Sequence, residues 1–226
     1  MSTLGGPKIV TDGLIMCLDA ANTRSYPSTG NTWTDLSGKG NNGTLINGPT
    51  FNNLNNGSIV FDGINDYFTF PTVTFTNTPY TLEMFSKTTG VLDTSNRRSI
   101  FGYSFASEFS DVVTYFTNIT VNSVNTYFNF NFSTAGAIVI NQTFHWVFTL
   151  GADKTVMMYL NGKPISTPNT QLVGYTNIVS TFTRFGTWNG DRPFIGDLYT
   201  ARIYNKALTD NEVLQNYNAT KIRYNL

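Results

Sequence analysis

Hydrophobic and polar residues alternate along most of the chain. In the segment VNTYFNFNFS, Phe128, Phe130 and Phe132 fall on one face of an extended chain, while Asn129 and Asn131 fall on the other. A period of two with one polar face is typical of an antiparallel strand that packs one side on a core. This segment is the clearest strand that the sequence predicts.

Nine further runs of similar length have a strand-like composition and end at Gly, Pro, Asn, Asp or Ser. They read GLIMCLD, SIVFDG, DYFTFP, YTLEMFSK, RSIFGYSF, DVVTYFTN, TFHWVFTL, TVMMYLNG and FIGDLYTARIYN. Ten or more short strands without a long helical pattern between them predict a sandwich of antiparallel sheets.

Turn-forming residues predict two β-hairpins. Asp62 and Gly63 begin the connection between SIVF and DYFTF, and Asn161 and Gly162 lie between TVMMYL and KPIS. Both dipeptides favour the tight turns that join antiparallel neighbours.

A segment rich in Gly and Asn, residues 33–49, reads WTDLSGKGNNGTLINGP. Glycine permits positive φ, and Asp, Ser and Asn side chains can bond to nearby backbone, so the first half predicts successive tight turns. The second half, with Leu45 and Ile46 between turn signals, predicts a short edge strand. Such a segment is either a ligand loop or scaffolding, and turn chemistry alone explains its residue types.

One short helix is predicted near the end of the sequence. Thr209 is a favoured N-cap, Glu212 follows three residues later as its capping-box partner, and Leu208 precedes the cap as one half of a hydrophobic staple. About two turns are expected to follow. The residues predicted to dock this helix on the sandwich are Val213, Leu214 and Tyr217.

The chain has 226 residues, a length that a single β-sandwich can reach. We expect an N-terminal arm over residues 1–12 and one domain over residues 13–226. The 14 basic and 14 acidic residues cancel, and Lys and Arg do not concentrate beyond the pair Arg97 and Arg98. This composition argues against nucleic acid and membranes as partners, since both attract proteins through concentrated positive charge.

The single cysteine, Cys17, lies in the apolar run LIMCL and is predicted to be a core residue without an internal disulfide. The first residues, MSTLGGPKIV, lack the charged and apolar regions of a signal peptide. Both features favour assembly in a reducing cytoplasm. The arm contains Gly and Pro, and it can either extend onto a neighbouring subunit or pack on its own domain.

Three segments follow one another in a characteristic order. The first is GLIMCLDAANTRSYPSTGNTWTDLSGKGNNGTLINGPT with GSIVFDGINDYF, the second is FHWVFTLGADKTVMMYLNGKPI, and the third is FIGDLYTARIYNKALTDNEVLQNYNAT. Together they resemble the laminin G-like, concanavalin A-like family over almost the whole chain, from about Gly13 to Thr220. The resemblance implies an all-β, antiparallel two-sheet jelly roll with one short C-terminal helix. The fold hosts lectins, glycosidases and adhesion modules, so it leaves the function open.

Stand-alone chains with this opening and closing resemble structural proteins of tailed bacteriophages. That resemblance implies a non-enzymatic virion protein, used in capsid decoration or as a tail or baseplate appendage, and assembled in the host cytoplasm. Its partners would be other virion proteins of the capsid or tail, or copies of itself. The competing hypothesis is a carbohydrate-binding adhesin that attaches the particle to host surface polysaccharide.

The carboxylates do not match the pattern of a glycosidase. A retaining enzyme needs two carboxylates that flank the scissile bond. The three glutamates are Glu83, Glu108 and Glu212; the first is the single carboxylate of its strand, and the last is assigned to the helix cap. We therefore predict no catalytic residue and no enzymatic activity.

Metal binding receives little support from the sequence. The one histidine, His145, alternates away from the apolar residues of its strand and is predicted to be structural or on the surface. One Cys and one His cannot supply the usual zinc ligands. Oxygen-bearing groups that suit calcium are Asp62, Asn65 and Asp66, and Asn189, Asp191 and Asp197. Neither group forms a calcium-loop pattern, so no cofactor and no metal ligand is predicted.

The loop GTWNGDRP, residues 186–193, has the residue types of a sugar site. An exposed aromatic ring can cover the apolar face of a pyranose while polar side chains bond to its hydroxyls. The predicted glycan-binding residues are Trp188, Asn189, Asp191 and Arg192. The alternative is a plain turn in which the tryptophan packs on the sandwich.

Overall fold

The computed structural model describes residues 7–54, 56–89, 98–102, 112–117, 123–128, 131–135, 140–165, 168, 170, 179–187, 193–224 and 226. The strands within these residues are β1 (Leu14–Asp19), β2 (Thr32–Trp33), β3 (Gly43–Ile46), β4 (Thr50–Asn52), β5 (Ser58–Asp62), β6 (Tyr67–Thr76), β7 (Tyr80–Thr88), β8 (Arg98–Gly102), β9 (Val112–Thr117), β10 (Ser123–Phe128), β11 (Asn131–Ala135), β12 (Thr143–Leu150), β13 (Val156–Leu160), β14 (Lys163–Pro164), β15 (Val179–Phe185) and β16 (Ile195–Tyr204). The helix α1 (Asp210–Thr220) and a 3₁₀ turn (Lys221–Tyr224) follow β16.

The strands form two antiparallel sheets of eight strands each. The order in the first sheet is β14-β13-β12-β7-β16-β5-β4, and β1 also pairs with β16. The order in the second sheet is β11-β10-β9-β8-β15-β6-β3-β2. This is the two-sheet jelly-roll sandwich that the sequence predicts.

The apolar core lies between the two sheets. Pairing places Trp146 of β12 beside Met84 of β7, which in turn lies beside Ala201 of β16, and all three are buried. From the second sheet, the rings of Phe68 and Phe185 stack with centroids 5.2 Å apart. Period-two alternation in the sequence therefore corresponds to one core-facing side of each of these strands.

The single strand predicted over VNTYFNFNFS is wrong: β10 ends at Phe128 and pairs antiparallel with β11, which begins at Asn131. Alternation alone does not mark where the chain reverses direction.

One of the two predicted hairpins is wrong. β5 belongs to the first sheet and β6 to the second, so Asp62 and Gly63 lie at a crossover between sheets. The Asp66 carboxylate accepts the Asp62 backbone N–H at 3.0 Å and holds this corner. Asp-Gly favours a tight turn, but the turn chemistry does not specify that the flanking strands pair with each other.

The second predicted hairpin is confirmed. Asn161 and Gly162 have φ angles of 50° and 78°, and β13 pairs with β14 on either side of them. Positive φ at both central residues is the geometry that an Asn-Gly turn favours.

The Gly- and Asn-rich segment after β2 is a scaffold loop, as predicted. The carboxylate of Asp35 accepts the backbone N–H groups of Cys17, Ser37 and Asn41 at 2.8, 2.9 and 3.0 Å. The predicted edge strand is misplaced, because β3 pairs with β6 on one side and with the two-residue β2 on the other. β2 is therefore the edge, a position that residue composition alone does not reveal.

The helix begins as predicted and runs further. Thr209 and Glu212 form both bonds of the capping box, and Leu208 and Val213 belong to one apolar cluster. α1 has 11 residues, about three turns. Its buried residues are Val213, Asn216 and Thr220, whereas Leu214 is 41% exposed. The predicted docking face was wrong at Leu214, because polar Asn216 takes part in the contact with the sheet.

The described part of the N-terminal arm packs on its own domain. The Val10 N–H donates to Asn216 Oδ1 at 2.7 Å, and the Tyr204 hydroxyl donates to the Val10 carbonyl at 3.2 Å. The arm and α1 therefore cover the outer face of the first sheet together. In the described ranges, no helix has the length and apolar character needed to cross a membrane.

Candidate functional site

The residues predicted to bind sugar lie outside the part of the chain that the structure describes: Trp188, Asn189, Asp191 and Arg192. Both ends of their loop are described, and the Phe194 N–H donates to the Gly186 carbonyl at 2.7 Å. This bond closes the base of the loop between β15 and β16. A sugar site in this loop stays a prediction.

The outer face of the first sheet carries polar side chains on three adjacent strands. Pairing places Lys87 of β7 beside Thr143 of β12 and Asp197 of β16. Further along the same face, Glu83 lies beside Arg202. α1 covers Glu83 and Arg202, which form an enclosed network. It leaves Lys87 and Thr143 uncovered, and these residues line an open cleft.

The enclosed group, here called the Glu83 network, consists of Glu83, His145, Arg202 and Asn216. Arg202 Nη1 donates to Glu83 Oε1, and His145 Nε2 lies 3.1 Å from the same oxygen. Asn216 Nδ2 donates to Oε2 at 2.6 Å. An ionised carboxylate only accepts hydrogen bonds, so the His145 proton is on Nε2.

Charge and burial compete in the Glu83 network. Burial by itself raises the pKa of Glu83, but the Arg202 guanidinium and the hydrogen bonds from His145 and Asn216 outweigh it and lower this pKa to about 2. Burial lowers the pKa of His145 by more than the adjacent carboxylate raises it. At neutral pH the network therefore holds one carboxylate, one guanidinium and a neutral imidazole.

The Glu83 network is a structural element that attaches α1 to the sheet. The His145 ring packs between Phe85 and Tyr217, with centroids 4.4 and 5.7 Å away, and its side chain is fully buried. His145 faces away from the core, as the alternation predicted, but α1 covers it. Because protein covers both faces of the imidazole ring, the ring is not accessible to a ligand.

Beyond α1, the same face opens into a hollow of about 230 Å³, here called the cleft. Its lining residues are Leu54, Asn56, Lys87, Asn141, Thr143, Tyr199 and Tyr224. A second hollow of about 440 Å³ adjoins it and shares Asn56. Six of the seven cleft side chains carry a hydrogen-bonding group, so the lining suits a polar ligand.

Local backbone features place two tyrosines at the cleft. β16 has a bulge between Leu198 and Thr200, and this extra residue places Tyr199 on the outer face. The 3₁₀ turn supplies Tyr224, whose ring centroid lies 4.4 Å from that of Tyr199. Tyr199 is 2% exposed and Tyr224 is partly exposed. The Tyr224 ring therefore packs on Tyr199 on one side and lines the cleft on the other.

Charges at the cleft are paired. Lys87 Nζ lies 2.8 Å from Asp197 Oδ2, and Asp197 Oδ1 accepts the Ser58 hydroxyl at 2.7 Å. Burial lowers the pKa of Lys87, but the carboxylate outweighs this effect and the net shift is upward. Burial raises the pKa of Tyr199, so its hydroxyl keeps its proton at neutral pH. The cleft therefore offers hydrogen-bonding groups together with a neutralised ion pair.

The groups considered for calcium are used internally where they are described. Asp62 Oδ1 accepts the backbone N–H groups of Ile64 and Asn65, and Asp197 pairs with Lys87. Asn189 and Asp191 lie outside the described residues. In the described ranges, no three His, Cys, Asp or Glu side chains come together as a metal site would require.

Sequence reasoning missed both the Glu83 network and the cleft. Glu83 is separated by 62 residues from His145, by 119 from Arg202 and by 133 from Asn216. The available signal was a charged residue in the middle of two otherwise apolar strands, YTLEMFSK and LYTARIY. Such residues are rarely buried unless they are paired, but the sequence does not give the strand pairing that joins them.

A family model described as "Concanavalin A-like lectin/glucanases superfamily" matches residues 62–214. Among solved structures, Trypanosoma rangeli sialidase in complex with sialic acid has a TM-score of 0.69 and 16% identity, over 93% of this chain and 33% of the sialidase chain. This chain therefore spans about a third of the length of the sialidase. A search of curated protein sequences finds no significant match.

Two further solved structures are similar in fold. Domain 4 of AbnA, an extracellular arabinanase from Geobacillus stearothermophilus, in complex with arabinotriose, has a TM-score of 0.64 and 16% identity over 90% of this chain and 98% of that domain. The binding domain of Paraclostridial Mosquitocidal Protein 1 has a TM-score of 0.61 and 15% identity over 92% of this chain and 52% of that chain. At these identities the likeness shows a shared fold.

Proposed function

Because the chain belongs to the concanavalin A-like lectin/glucanase superfamily, we propose that it is a non-catalytic carbohydrate-binding domain. Domain 4 of the arabinanase, which matches this chain over nearly its whole length, is bound to arabinotriose. The sialidase is bound to sialic acid. These likenesses in fold support sugars as the ligand class.

The observation that carries the proposal is the cleft on the outer face of the first sheet. It combines a partly exposed ring, Tyr224, with the amide of Asn141 and the hydroxyl of Thr143. An aromatic surface with a few polar groups around it is the general chemistry of small-ligand sites, and a pyranose or furanose presents matching apolar and hydroxyl surfaces. Its volume of about 230 Å³ suits one sugar residue.

The roles of the two described glutamates support binding without hydrolysis. Glu83 is held by three donors inside the Glu83 network, and Glu212 serves the helix cap and pairs with Lys206 at 2.8 Å. Glu108 lies outside the described residues. A glycosidase needs a proton donor and a second carboxylate across the bond, and the two described glutamates both have structural roles.

The test is a binding screen of the purified chain against immobilised bacterial surface polysaccharides and short oligosaccharides. We expect saturable binding that the free sugar competes away, with the recovered sugar unchanged in length. The absence of saturable binding to any sugar in the panel would contradict the proposal, and shortened products would contradict its non-catalytic part.

We further propose that the chain is a bacteriophage virion component, assembled in the host cytoplasm and carried on the capsid or tail. The opening and closing segments of the sequence, which resemble those of phage structural proteins, support this location. Carbohydrate binding would then attach the particle to host surface polysaccharide, and contacts with virion proteins would hold the domain in place. Gold labelling of intact particles tests the location: label on heads or tails supports it, and unlabelled particles contradict it.

A further inference from the structure

We infer that the sugar site is the cleft, that its ligand is one uncharged sugar residue, and that the 3₁₀ turn supplies its aromatic wall. This inference rests on the proposed carbohydrate-binding function and its cleft, and adds the class of sugar and the side chains that bind it. It differs from the sequence-based prediction, which placed the site in the loop of Trp188.

The aromatic wall is prearranged. The Tyr224 ring packs on Tyr199 at 4.4 Å and on Phe85 at 5.5 Å between centroids, while its remaining surface faces the cleft. A ring held from two sides loses little conformational freedom when a ligand packs on it, and so retains more of the contact energy. The apolar C–H face of a sugar is a suitable surface for this ring.

Hydrogen-bonding groups surround the ring. The Asn141 side chain is exposed, and among the described residues its amide has no hydrogen-bond partner. Asn56 donates through Nδ2 to the Arg223 carbonyl at 2.5 Å, which leaves its Oδ1 as an acceptor. Thr143 and Lys87 add a hydroxyl and an ammonium group. Donors and acceptors are therefore both available for sugar hydroxyls.

Charge pairing selects against an anionic sugar. Asp197 neutralises Lys87 at 2.8 Å, and Asp19 binds Arg223 Nη1 through both carboxylate oxygens at 2.8 Å. A sugar carboxylate would have to compete with these protein carboxylates for each cation. An uncharged sugar can bond to the Lys87 ammonium without separating the pair, and its affinity should depend little on salt.

The 3₁₀ turn is fixed independently of any ligand. Arg223 bonds to Asp19 at the end of β1, and its carbonyl accepts from Asn56. These contacts hold Tyr224 at the cleft while the neighbouring Ile222 is 75% exposed and does not line it. Tyr224 and Ile222 therefore form a matched pair: both are large residues in the same turn, and the ring alone faces the cleft.

The experiment is isothermal titration of the full chain with arabinotriose, galactose, N-acetylglucosamine and sialic acid, and with any further sugar that the binding screen identifies. The variants are Tyr224→Ala, Tyr224→Phe, Ile222→Ala, Asn141→Gly and Trp188→Ala, each checked for folding by circular dichroism. Asn141→Gly suits its φ of 68°, since glycine tolerates positive φ.

We expect an uncharged sugar to bind wild type with an affinity that changes less than about twofold between 50 and 300 mM salt. Tyr224→Ala should weaken binding at least about tenfold, and Asn141→Gly about three- to tenfold. Tyr224→Phe keeps the ring and should stay within about threefold of wild type. Ile222→Ala and Trp188→Ala should bind like wild type.

Failure of the inference differs from failure of the proposed function. If a sugar binds wild type and Tyr224→Ala equally while Trp188→Ala loses binding, the site is the loop and the inference is overturned, although the function stands. Stronger binding of sialic acid than of every uncharged sugar overturns the ligand class. If wild type binds no sugar, the proposed function fails, and the inference fails with it.

Discussion

Glu83 is a carboxylate at the centre of a polar network, buried between a sheet and a helix. Its two oxygens accept hydrogen bonds from Arg202, His145 and Asn216. The Arg202 guanidinium neutralises the charge of the carboxylate. Burying the Glu83–Arg202 ion pair costs much desolvation free energy, so the pair adds little net stability. Its role is to fix the position of α1, which bonds to Glu83 through Asn216.

Glu83→Gln should destabilise the fold by about 3–5 kcal/mol, because it leaves the Arg202 guanidinium buried without a counter-charge. Urea unfolding followed by tryptophan fluorescence measures this change. The double variant Glu83→Gln/Arg202→Met removes both charges and should recover part of the loss. A single variant as stable as wild type would show that Arg202 does not depend on this carboxylate.

The residues of the network and of the cleft show what a single sequence hides. In the sequence, Glu83 and His145 stand out only as isolated titratable residues, because their contact depends on the pairing of β7 with β12 and on the docking of α1. Tyr199 could not be placed, because a one-residue bulge decides which face of β16 it occupies. Register and bulges are properties of the assembled sheet.

At the scale of elements, local signals were reliable where both partners are close in sequence. The capping box at Thr209 and Glu212 and the turn at Asn161 and Gly162 formed as expected, because each needs only a few neighbouring residues. The turn beginning at Asp62 has similar residue types, yet it joins two different sheets. Across the two sheets, Phe61 at the end of β5 packs on Phe185 of β15, with ring centroids 5.7 Å apart.

Thr209→Ala should lower stability by about 1 kcal/mol, because the first turn of α1 loses the hydroxyl that accepts the Glu212 N–H. Thr209→Ser keeps the acceptor and should stay close to wild type. Urea denaturation midpoints of the three proteins give the comparison. Equal midpoints for the Ala variant and wild type would mean that tertiary contacts alone hold the helix start.

Gly196→Ala should destabilise β16 severely. Gly196 has φ of 140°, and a Cβ there would lie 2.0 Å from the Lys87 carbonyl on the neighbouring strand. Gly48→Ala is the matched control: its φ is 107°, but nothing lies within 4 Å of the new Cβ. The control should cost about 1–2 kcal/mol from backbone strain alone, and thermal unfolding should show Gly196→Ala to be markedly worse.

At the scale of the whole molecule, acid should destabilise the protein in two steps. His145 has an ordinary pKa of 6.5 that burial lowers, so the unfolded chain binds the proton first and stability falls as pH drops below about 6.5. The pKa of Glu83 is 4.5 in the unfolded chain and about 2 in the folded protein. Its contribution to the unfolding free energy is therefore complete above pH 4.5 and is lost as the pH falls towards 2. Asp66 acts in the opposite direction, because burial raises its pKa.

Unfolding free energy measured from pH 8 to pH 3 tests this dependence. His145→Gln keeps a side-chain donor beside Glu83 but cannot titrate, so the slope just below pH 6.5 should disappear while the fall below pH 4.5 remains. An unchanged slope in His145→Gln would assign the first step to another group.

The two-sheet sandwich supports one partly covered face. Its core-facing side is packed with apolar residues, and the arm, α1 and the 3₁₀ turn divide the outer face of the first sheet into the Glu83 network and the cleft. The Glu83 network fixes α1 on the sheet, and the 3₁₀ turn that follows α1 places Tyr224 at the cleft. The network therefore helps to position the proposed sugar site.

Backbone amide shift mapping by NMR, during titration with a sugar that the chain binds, locates the site on the protein. If the cleft binds the sugar, the largest shifts cluster at Lys87, Asn141, Tyr199 and Tyr224, with little change around Gly186 and Phe194. Shifts concentrated at the two ends of the 186–194 loop, with the cleft unchanged, would contradict binding in the cleft.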